Sequence, residues 1–349
     1  MTTLKKEIFE KALKNVLKTK TRHVLIEGFS DHADVSASTD VIAVTSHVVS
    51  EDGGDLFRCV VDGRHMAEAL SICDGEEVML ISEDHGLQMQ CGSADVLFVR
   101  NETPVRRAEM ASGAEITDPD FFAKCEQVMH AASQKPADSP VLKSVNISGT
   151  AENICTAALD GKRVSVRGNK MNGKAIDVTV YASDLAALCS LAKSETGHAF
   201  VSDRCIAYED DGCTCVCRTL SAKFFNLDTI FKKMSFRNTV VCSRSELSSI
   251  ARLSAIAGND VFFKVSSEDI EITSAGETMN ADGTVRISRS ERSIPKTEFR
   301  FDSSYLIDAL SALKCDRVSI SYFAGTNPVL IKPADGTAQD EIMMPMIMR

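Results

Sequence analysis

The sequence has 349 residues, of which 44% are hydrophobic, and its formal net charge is -10. This length exceeds what one hydrophobic core normally holds, so two or three domains are expected. The negative charge argues against binding of nucleic acid by the whole surface. No apolar run approaches the ~18 residues of a membrane-spanning helix, so we expect a cytoplasmic protein.

The first predicted element is an amphipathic helix close to the N-terminus. Its apolar stripe runs from Leu4 to Leu17 with helical spacing, and lysines lie off the stripe. Through Arg22 the chain carries seven basic residues against two acidic ones. Such a surface is either a solvated helix face or a site for a polyanion.

A pattern of a strand end followed by a short helix occurs three times, at residues 61–70, 180–189 and 301–310. Each copy has a small or acidic residue at the helix N-cap and apolar residues three and four apart. The copies begin 119 and 121 residues apart. This spacing predicts three copies of one domain.

A longer helix opens each predicted copy. The second follows Asp118 and Pro119, an N-cap and a proline at the first helical position. The third begins at Ser243, with Glu246 completing a capping box, and ends at Gly258. Strands are predicted between the helices, at residues 78–82, 87–91, 96–100, 163–167 and 318–322. Helices combined with sheets in this order indicate an α+β fold.

Sequence motifs for catalysis or metal binding are weak. Residues 168–175 have the glycine spacing and lysine of a phosphate loop, but Ala175 replaces the Ser or Thr that holds magnesium, and a strand pattern follows. We interpret this segment as a hairpin turn. Cys213, Cys215 and Cys217 have the period of a strand, which favours an inward strand face over a zinc site. We therefore predict a protein that is not an enzyme and has no metal or cofactor.

The C-terminal residues 341–349 read EIMMPMIMR, an unusually apolar end. Ile342 and Met344 alternate as on a half-buried strand, and Pro345 removes a backbone donor, so strand pairing is expected to stop there. Flexible methionine side chains suit a surface that repacks around different ligands. A frayed apolar terminus is the alternative.

The order and spacing of these elements resemble those of bacterial sliding clamps, the beta subunits of DNA polymerase III. The resemblance is carried by residues 301–318 (FDSSYLIDALSALKCDRV) with 327–331 and 342–346, by residues 158–164 (ALDGKRV), and by the helix from 243 to 258. It extends over essentially the whole chain at low identity.

The resemblance implies three helix-and-sheet DNA-clamp domains, at residues 1–114, 115–238 and 239–349. In that family two subunits close head to tail into a homodimeric ring around duplex DNA and confer processivity on a replicative polymerase. The implied partners are double-stranded DNA bound without sequence preference, the polymerase, the clamp loader and other proteins with clamp-binding motifs, and no membrane. A three-domain interaction scaffold that does not encircle DNA is the alternative.

Residue by residue, the resemblance implies three surfaces. The peptide-binding groove comprises Leu142, Leu159, Gly161, Lys162, Arg163, Val164, Phe225, Thr229, Ile230, Pro328, Ile342, Met344, Pro345 and Met346. The DNA-facing residues are Lys5, Lys11, Lys14, Lys18, Lys20, Arg22, Lys135 and Arg252. The dimer interface comprises Val96, Phe98, Ala255 and Ile256.

This sequence departs from the family pattern within the implied groove. The family usually has His at the position of Lys162, Pro at Phe225 and Arg at Thr229. These changes leave a groove in place and leave its peptide preference open. Ala255 is smaller than the usual residue, so a weaker subunit joint is expected.

Overall fold

The computed structural model describes residues 1–110, 112–169, 175–194, 196–290, 294 and 296–346. The helices within this part of the chain are α1 (Lys6–Val16), α2 (Gly63–Ile72), α3 (Phe121–Val128), α4 (Ala182–Leu191), α5 (Leu227–Lys232), α6 (Arg244–Ala257) and α7 (Ser303–Ala312). No described helix is both long and apolar enough to span a membrane.

The described strands outnumber the helices. They are β1 (Thr2–Lys5), β2 (His23–Gly28), β3 (His32–Ser38), β4 (Ile42–Gly54), β5 (Phe57–Asp62), β6 (Glu77–Glu83), β7 (Gly86–Cys91), β8 (Ala94–Val99), β9 (Ala114–Ile116), β10 (Ser144–Thr150), β11 (Asn153–Leu159), β12 (Arg163–Arg167), β13 (Ile176–Tyr181), β14 (His198–Val201), β15 (Cys205–Asp210), β16 (Cys213–Arg218), β17 (Asn238–Ser243), β18 (Asp260–Val265), β19 (Asp269–Ala275), β20 (Asn280–Ser290), β21 (Thr297–Asp302), β22 (Arg317–Tyr322), β23 (Val329–Pro333) and β24 (Gln339–Met343). The predicted α+β composition is confirmed.

The chain divides into two compact units. The first comprises Met1–Thr117 with Ser183–Leu220, and the second Asp118–Ala182 with Ser221–Arg349. The sheet of the first unit has the order β8-β7-β6-β1-β4-β16-β15-β14-β9, with β2, β3 and β5 joined to it through β4. The sheet of the second has the order β13-β10-β11-β12-β24-β23-β22-β17-β20-β19-β18-β21.

The repeated strand-to-helix pattern is present in all three predicted places. β5 leads into α2, β13 into α4 and β21 into α7. Asp62 caps α2 by accepting hydrogen bonds from the backbone N–H groups of Arg64 and His65, and Asp302 accepts one from Ser304 at the start of α7. An acidic side chain at this position satisfies N–H groups that have no partner within the helix.

The first predicted helix is shorter than its apolar pattern. Phe9, Leu13 and Val16 are buried as expected, and burying such a side chain contributes about 1.5 to 3 kcal/mol. Leu4 is fully buried but lies in β1, whose backbone pairs with β4 and β6 and is therefore extended. Ile8 lies beside the buried stripe and is 43% exposed.

The predicted start of the second helix is wrong: α3 begins at Phe121 with Asp120 at its N-cap, and Pro119 lies before the helix. Asp118 instead accepts hydrogen bonds from the backbone N–H groups of Asp120 and Ile154.

Other predictions of local structure agree with the described residues. Ser243 caps α6, and its side chain accepts a hydrogen bond from the backbone N–H of Glu246. Cys213, Cys215 and Cys217 lie buried on β16, which confirms the inward strand face. Burial raises the pKa of the Cys213 thiol to about 12. Of the predicted hairpin turn at 168–175, residues 170–174 lie outside the described residues, and β13 follows as a strand.

Candidate peptide-docking site and nucleic-acid interface

A separate apolar cluster in the second unit surrounds Ile342 on β24. Its members share one face of β11, β12 and β24 or pack against that face. Those that are buried are Cys155, Ala157, Leu159, Val164, Val166 and Ile342, and those that are half-buried are Leu142, Phe224, Leu227, Ile230, Phe231, Met234 and Leu330. We call these residues the docking cluster. Five of the predicted groove residues belong to it.

The position of Ile342 is set by the pairing of β24. This strand lies between β12 and β23, and Ile342 is opposite Val164 on one side and Leu330 on the other. Directly opposed side chains on neighbouring antiparallel strands lie within contact distance. The three side chains therefore form a continuous apolar row across the sheet.

The residues after β24 leave the sheet but remain attached to it. The N–H of Met344 donates to the carbonyl of Lys162 at 2.8 Å, and the N–H of Met346 donates to the carbonyl of Arg300 at 2.7 Å. Strand pairing ends before Pro345, as predicted. The side chains of Met344 and Met346 are 42% and 37% exposed, so their apolar surfaces are accessible.

The strand is not half-buried, however, as the alternation of Ile342 and Met344 suggested. Met343, on the opposite face, is also buried and belongs to a second apolar cluster built around α6 and α7. The strand is therefore covered on both faces up to Met343. The alternative of a frayed apolar terminus is wrong for the described residues through Met346.

A tight turn between β11 and β12 forms one rim of the docking cluster. Gly161 has φ +88°, a left-handed conformation that favours glycine, and a side chain there would meet open space. Asp160 accepts hydrogen bonds from the backbone N–H groups of Lys162 and Arg163 at 2.9 and 3.0 Å. The Asp-Gly pair is therefore a turn, and Lys162 is exposed on it.

Arg163, although predicted as a groove residue, is committed to contacts within the chain. Its guanidinium pairs with Asp160 at 3.1 Å and Asp308 at 2.7 Å, and it lies over the ring of Tyr305 at 4.2 Å. The side chain of Arg163 is 12% exposed. Arg163 therefore fixes the rim of the cluster, and little of its side-chain surface is accessible to a ligand.

The segment containing α5 covers another side of the docking cluster. Asn226 caps the helix by accepting a hydrogen bond from the N–H of Thr229. Phe225 is 43% exposed and meets the ring of Phe224 edge-on, with 5.8 Å between centroids. Thr229 is exposed and Pro328 is half-buried directly before β23. Of the predicted groove residues in this segment, only Ile230 packs on the cluster.

Apart from Ile230, the members of the docking cluster around α5 were not predicted from the sequence. Leu227, Ile230, Phe231 and Met234 have the spacing of one helical face. That pattern could have identified the short helix. Leu330 could have been found from its place opposite Ile342 only once the pairing of β23 with β24 was known.

A buried charge network was also missed, and it lies next to Ile342 on β24. Glu341 accepts hydrogen bonds from Arg167 at 2.5 Å and from Ser165 at 2.7 Å, and it lies 3.2 Å from the imidazole of His130. The Arg167 side chain is 1% exposed and that of Glu341 3%. Arg167 also donates to Gln127 at 2.9 Å. These contacts connect β24 to β12, to Gln127 on α3 and to His130 just after α3.

The predicted DNA-facing residues are nearly all accessible in their own units. Lys5, Lys11, Lys14, Lys20, Arg22, Lys135 and Arg252 are exposed. Three of them form surface ion pairs: Lys5 with Glu51 at 3.5 Å, Lys14 with Glu10 at 2.5 Å and Arg22 with Asp62 at 2.7 Å. Exposed pairs of this kind are weak and can be exchanged for phosphates.

Lys18 differs from the other predicted DNA-facing residues. Its ammonium donates to the backbone carbonyl of Ser190 at 3.0 Å. Burial, together with the nearby charge of Lys193, lowers the pKa of Lys18. Lys18 is therefore half-buried, and its amino group is held by another part of the same unit. Its contact with DNA stays a prediction.

The residues predicted for the dimer interface lie on β8 and α6. β8 is the edge strand of the first sheet, and it pairs only with β7 among the described strands. Val96 is half-buried and Phe98 is only 8% exposed, while Leu97 and Val99 on the other face are 53% and 74% exposed. The accessible apolar side chains of the strand are therefore the neighbours of the predicted ones.

On α6, one of the two predicted interface residues is clearly accessible. Ala255 is half-buried, whereas Ile256 is 71% exposed. Leu253 on the same helix is 54% exposed. α6 thus presents apolar surface in addition to its buried face.

The buried ion pair yields a prediction for stability. Glu341→Gln keeps the shape of the side chain but leaves the Arg167 charge buried without its partner, so we expect the free energy of unfolding to fall by about 3 to 5 kcal/mol. Glu271→Gln is the matched control, since it removes a carboxylate with surface lysine partners and should cost at most ~1 kcal/mol. Urea denaturation followed by circular dichroism measures both. Equal, small losses would contradict the assignment.

Comparisons with known proteins identify the family to which the chain belongs. Residues 233–347 match the family described as DNA polymerase III beta subunit, C-terminal domain. The beta sliding clamp of Streptomyces coelicolor is 23% identical over 90% of this chain and 85% of its own length. That of Actinobacillus pleuropneumoniae is 36% identical over 15% of this chain and 81% of its own sequence. The crystal structure of the beta subunit from Pseudomonas aeruginosa superimposes with a TM-score of 0.88, at 16% identity and 99% coverage of both chains, and so has the same fold. The chain therefore belongs to the family of beta sliding clamps, the beta subunits of DNA polymerase III.

Proposed function

We propose that this chain is a DNA sliding clamp, which as a head-to-tail homodimer encircles duplex DNA and confers processivity on a replicative polymerase. Membership of the beta clamp family supports this function. The repeated strand-to-helix units, 119 and 121 residues apart, support three domains at 1–114, 115–238 and 239–349. In this role the protein tethers and recruits in the cytoplasm, and catalysis belongs to its partners.

Contact with DNA rests on the exposed basic side chains around α1. Lys11 and Lys14 lie on the helix opposite the buried side chains of Phe9 and Leu13. Ammonium groups attract phosphates without reading bases, and each contact releases counterions, so binding weakens steeply with salt. With a net charge of -10, most of the remaining surface repels DNA. A ring with a basic lining would thus hold the duplex loosely and slide.

The docking cluster is the proposed binding site for partner proteins. The observation that carries this assignment is the pair of accessible methionines, Met344 and Met346, held by backbone hydrogen bonds beside a buried apolar row. A Helicobacter pylori clamp of the same fold (TM-score 0.85, 13% identity, 99% of both chains) was crystallised with a DNA ligase peptide. We propose that short apolar peptides of the polymerase, the clamp loader and other partners bind this chain at the docking cluster.

Substitution of Met344 and Met346 tests the proposed binding site. The double variant Met344→Ser and Met346→Ser removes exposed apolar contacts, so we expect affinity for a polymerase-derived peptide to fall at least tenfold, about 1.4 kcal/mol. Thermal unfolding should be nearly unchanged, because neither side chain is buried. Met279→Ser is the matched control, since this methionine is 39% exposed and lies outside the cluster. Fluorescence anisotropy measures the affinity. An unaltered affinity in the double variant would refute the assignment of the docking cluster as the peptide-binding site.

Retention on circular DNA tests whether the protein forms a closed ring. The loaded protein should stay on nicked circular DNA at high salt and leave when the circle is cut, because only a closed ring is linked to its template. Ile256→Glu should weaken the dimer in sedimentation equilibrium and abolish retention, whereas Leu56→Glu, at a residue 80% exposed outside the proposed joint, should do neither. A monomeric wild type, or equal retention on linear DNA, would leave only the scaffold function.

A further inference from the structure

Three side chains with metal-binding atoms meet on one face of the sheet in the first unit. His32 and Asp34 are two residues apart on β3, so they point to the same side. His47 lies directly opposite Asp34 on β4. One ligand atom from each of the three lies within 4.8 Å of the others. The strand register alone thus brings together two imidazoles and a carboxylate.

The two oxygens of Asp34 have different surroundings. Oδ1 lies 2.5 Å from Nδ1 of His47 and 3.7 Å from Nε2 of His32. Oδ2 is paired with the guanidinium of Arg107. One oxygen of the carboxylate is therefore directed at the histidines and the other at the arginine.

His32 is oriented by groups outside the trio. Its Nδ1 lies 2.7 Å from a carboxylate oxygen of Asp31, and its ring stacks on Phe29 with 4.5 Å between centroids. In the tautomer with the proton on Nδ1, directed at Asp31, the lone pair of Nε2 would be available to an ion on the side of Asp34. Metal-bound histidines nearly always donate their second N–H to a carboxylate or carbonyl in this way. Asp31 supplies that partner.

We propose that His32, Asp34 and His47 form a structural site for a divalent transition-metal ion of the zinc type. The ligand atoms are Nε2 of His32, Nδ1 of His47 and Oδ1 of Asp34, with water completing a tetrahedron. Imidazole and carboxylate together suit Zn²⁺. Arg107 keeps Oδ2, so the carboxylate bridges the ion and the guanidinium.

The distances require only local adjustment. Ligand bonds of about 2.0 to 2.1 Å in a tetrahedron place the ligand atoms roughly 3.3 Å apart. The pair of His47 and Asp34, now at 2.5 Å, has to open, and the pair of His32 and Asp34, at 3.7 Å, has to close. The histidine side chains are 32% (His32) and 40% (His47) exposed, so their rings have room to rotate.

The ion would secure a segment that crosses this face of the sheet. The N–H of Arg106 donates to Ser38 Oγ and that of Ala108 to Thr45 Oγ1, both at 2.8 Å. Arg107, between them, pairs with Asp34 and lies over Phe29. A metal that fixes Asp34 therefore also fixes the anchor of residues 106–108. The predicted role is stabilisation of the unit.

Zinc titration of the chelator-treated, full-length protein tests the site. We expect one equivalent of Zn²⁺ to bind and to raise the unfolding temperature, because the ion binds only the folded state. His32→Gln should abolish that equivalent, and Asp31→Asn should weaken it about 10- to 100-fold, the usual effect of losing an outer partner. His198→Gln is the matched control, since His198 also pairs with a carboxylate, at 2.7 Å, but belongs to no group of three metal-binding side chains among the described residues. It should bind zinc like the wild type.

Cobalt distinguishes this site from thiols. Co²⁺ bound here should show visible absorption bands of nitrogen and oxygen ligands, without a thiolate charge-transfer band. Failure to bind, equal binding by the wild type and His32→Gln, or a spectrum that disappears on cysteine alkylation would overturn the proposal. Hydrogen exchange of residues 106–108 should slow on addition of Zn²⁺ in the wild type and not in His32→Gln.

Discussion

The pairing of β24 between β12 and β23 is the constraint on which the docking site depends. A terminal segment ordinarily frays because nothing covers it. Here the last strand has a hydrogen-bonded neighbour on each side, and both of its faces are buried. Ile342 completes the docking cluster on one face, and Met343 joins the core around α6 and α7 on the other. The accessible methionines that follow are therefore presented from a fixed base.

Register matters as much as pairing. A slip of one residue would exchange the two faces of β24 and remove Ile342 from the cluster. The ion pair of Glu341 with Arg167 opposes such a slip, since it would leave two charges buried without partners. A hydrophobic pair could match its stability, so we attribute to the charged pair a specific role in fixing the register.

The sequence predicted those features that local patterns encode. The strand-to-helix repeats, the capped start of α6, the Asp-Gly turn and the end of pairing before Pro345 follow from residue type and spacing. Glu341 and Arg167 could not be paired from the sequence, because 174 residues separate them and charged residues are ordinarily exposed. The hydrogen bond of Lys18 could not be predicted for a similar reason: its acceptor, Ser190, is 172 residues away. Within β8, alternation identified two faces but could not tell that Leu97 and Val99 are the exposed ones.

Amide hydrogen exchange of β24 tests most directly whether this strand is a fixed part of the sheet. If β24 is fixed between its two neighbours, the backbone amides of residues 341–343 should exchange as slowly as those of β22 in the same sheet, over hours. Met344 and Met346, which each have one backbone hydrogen bond, should exchange faster. Exchange of residues 341–343 within seconds would mean that the strand frays, and the docking site would then have no fixed base.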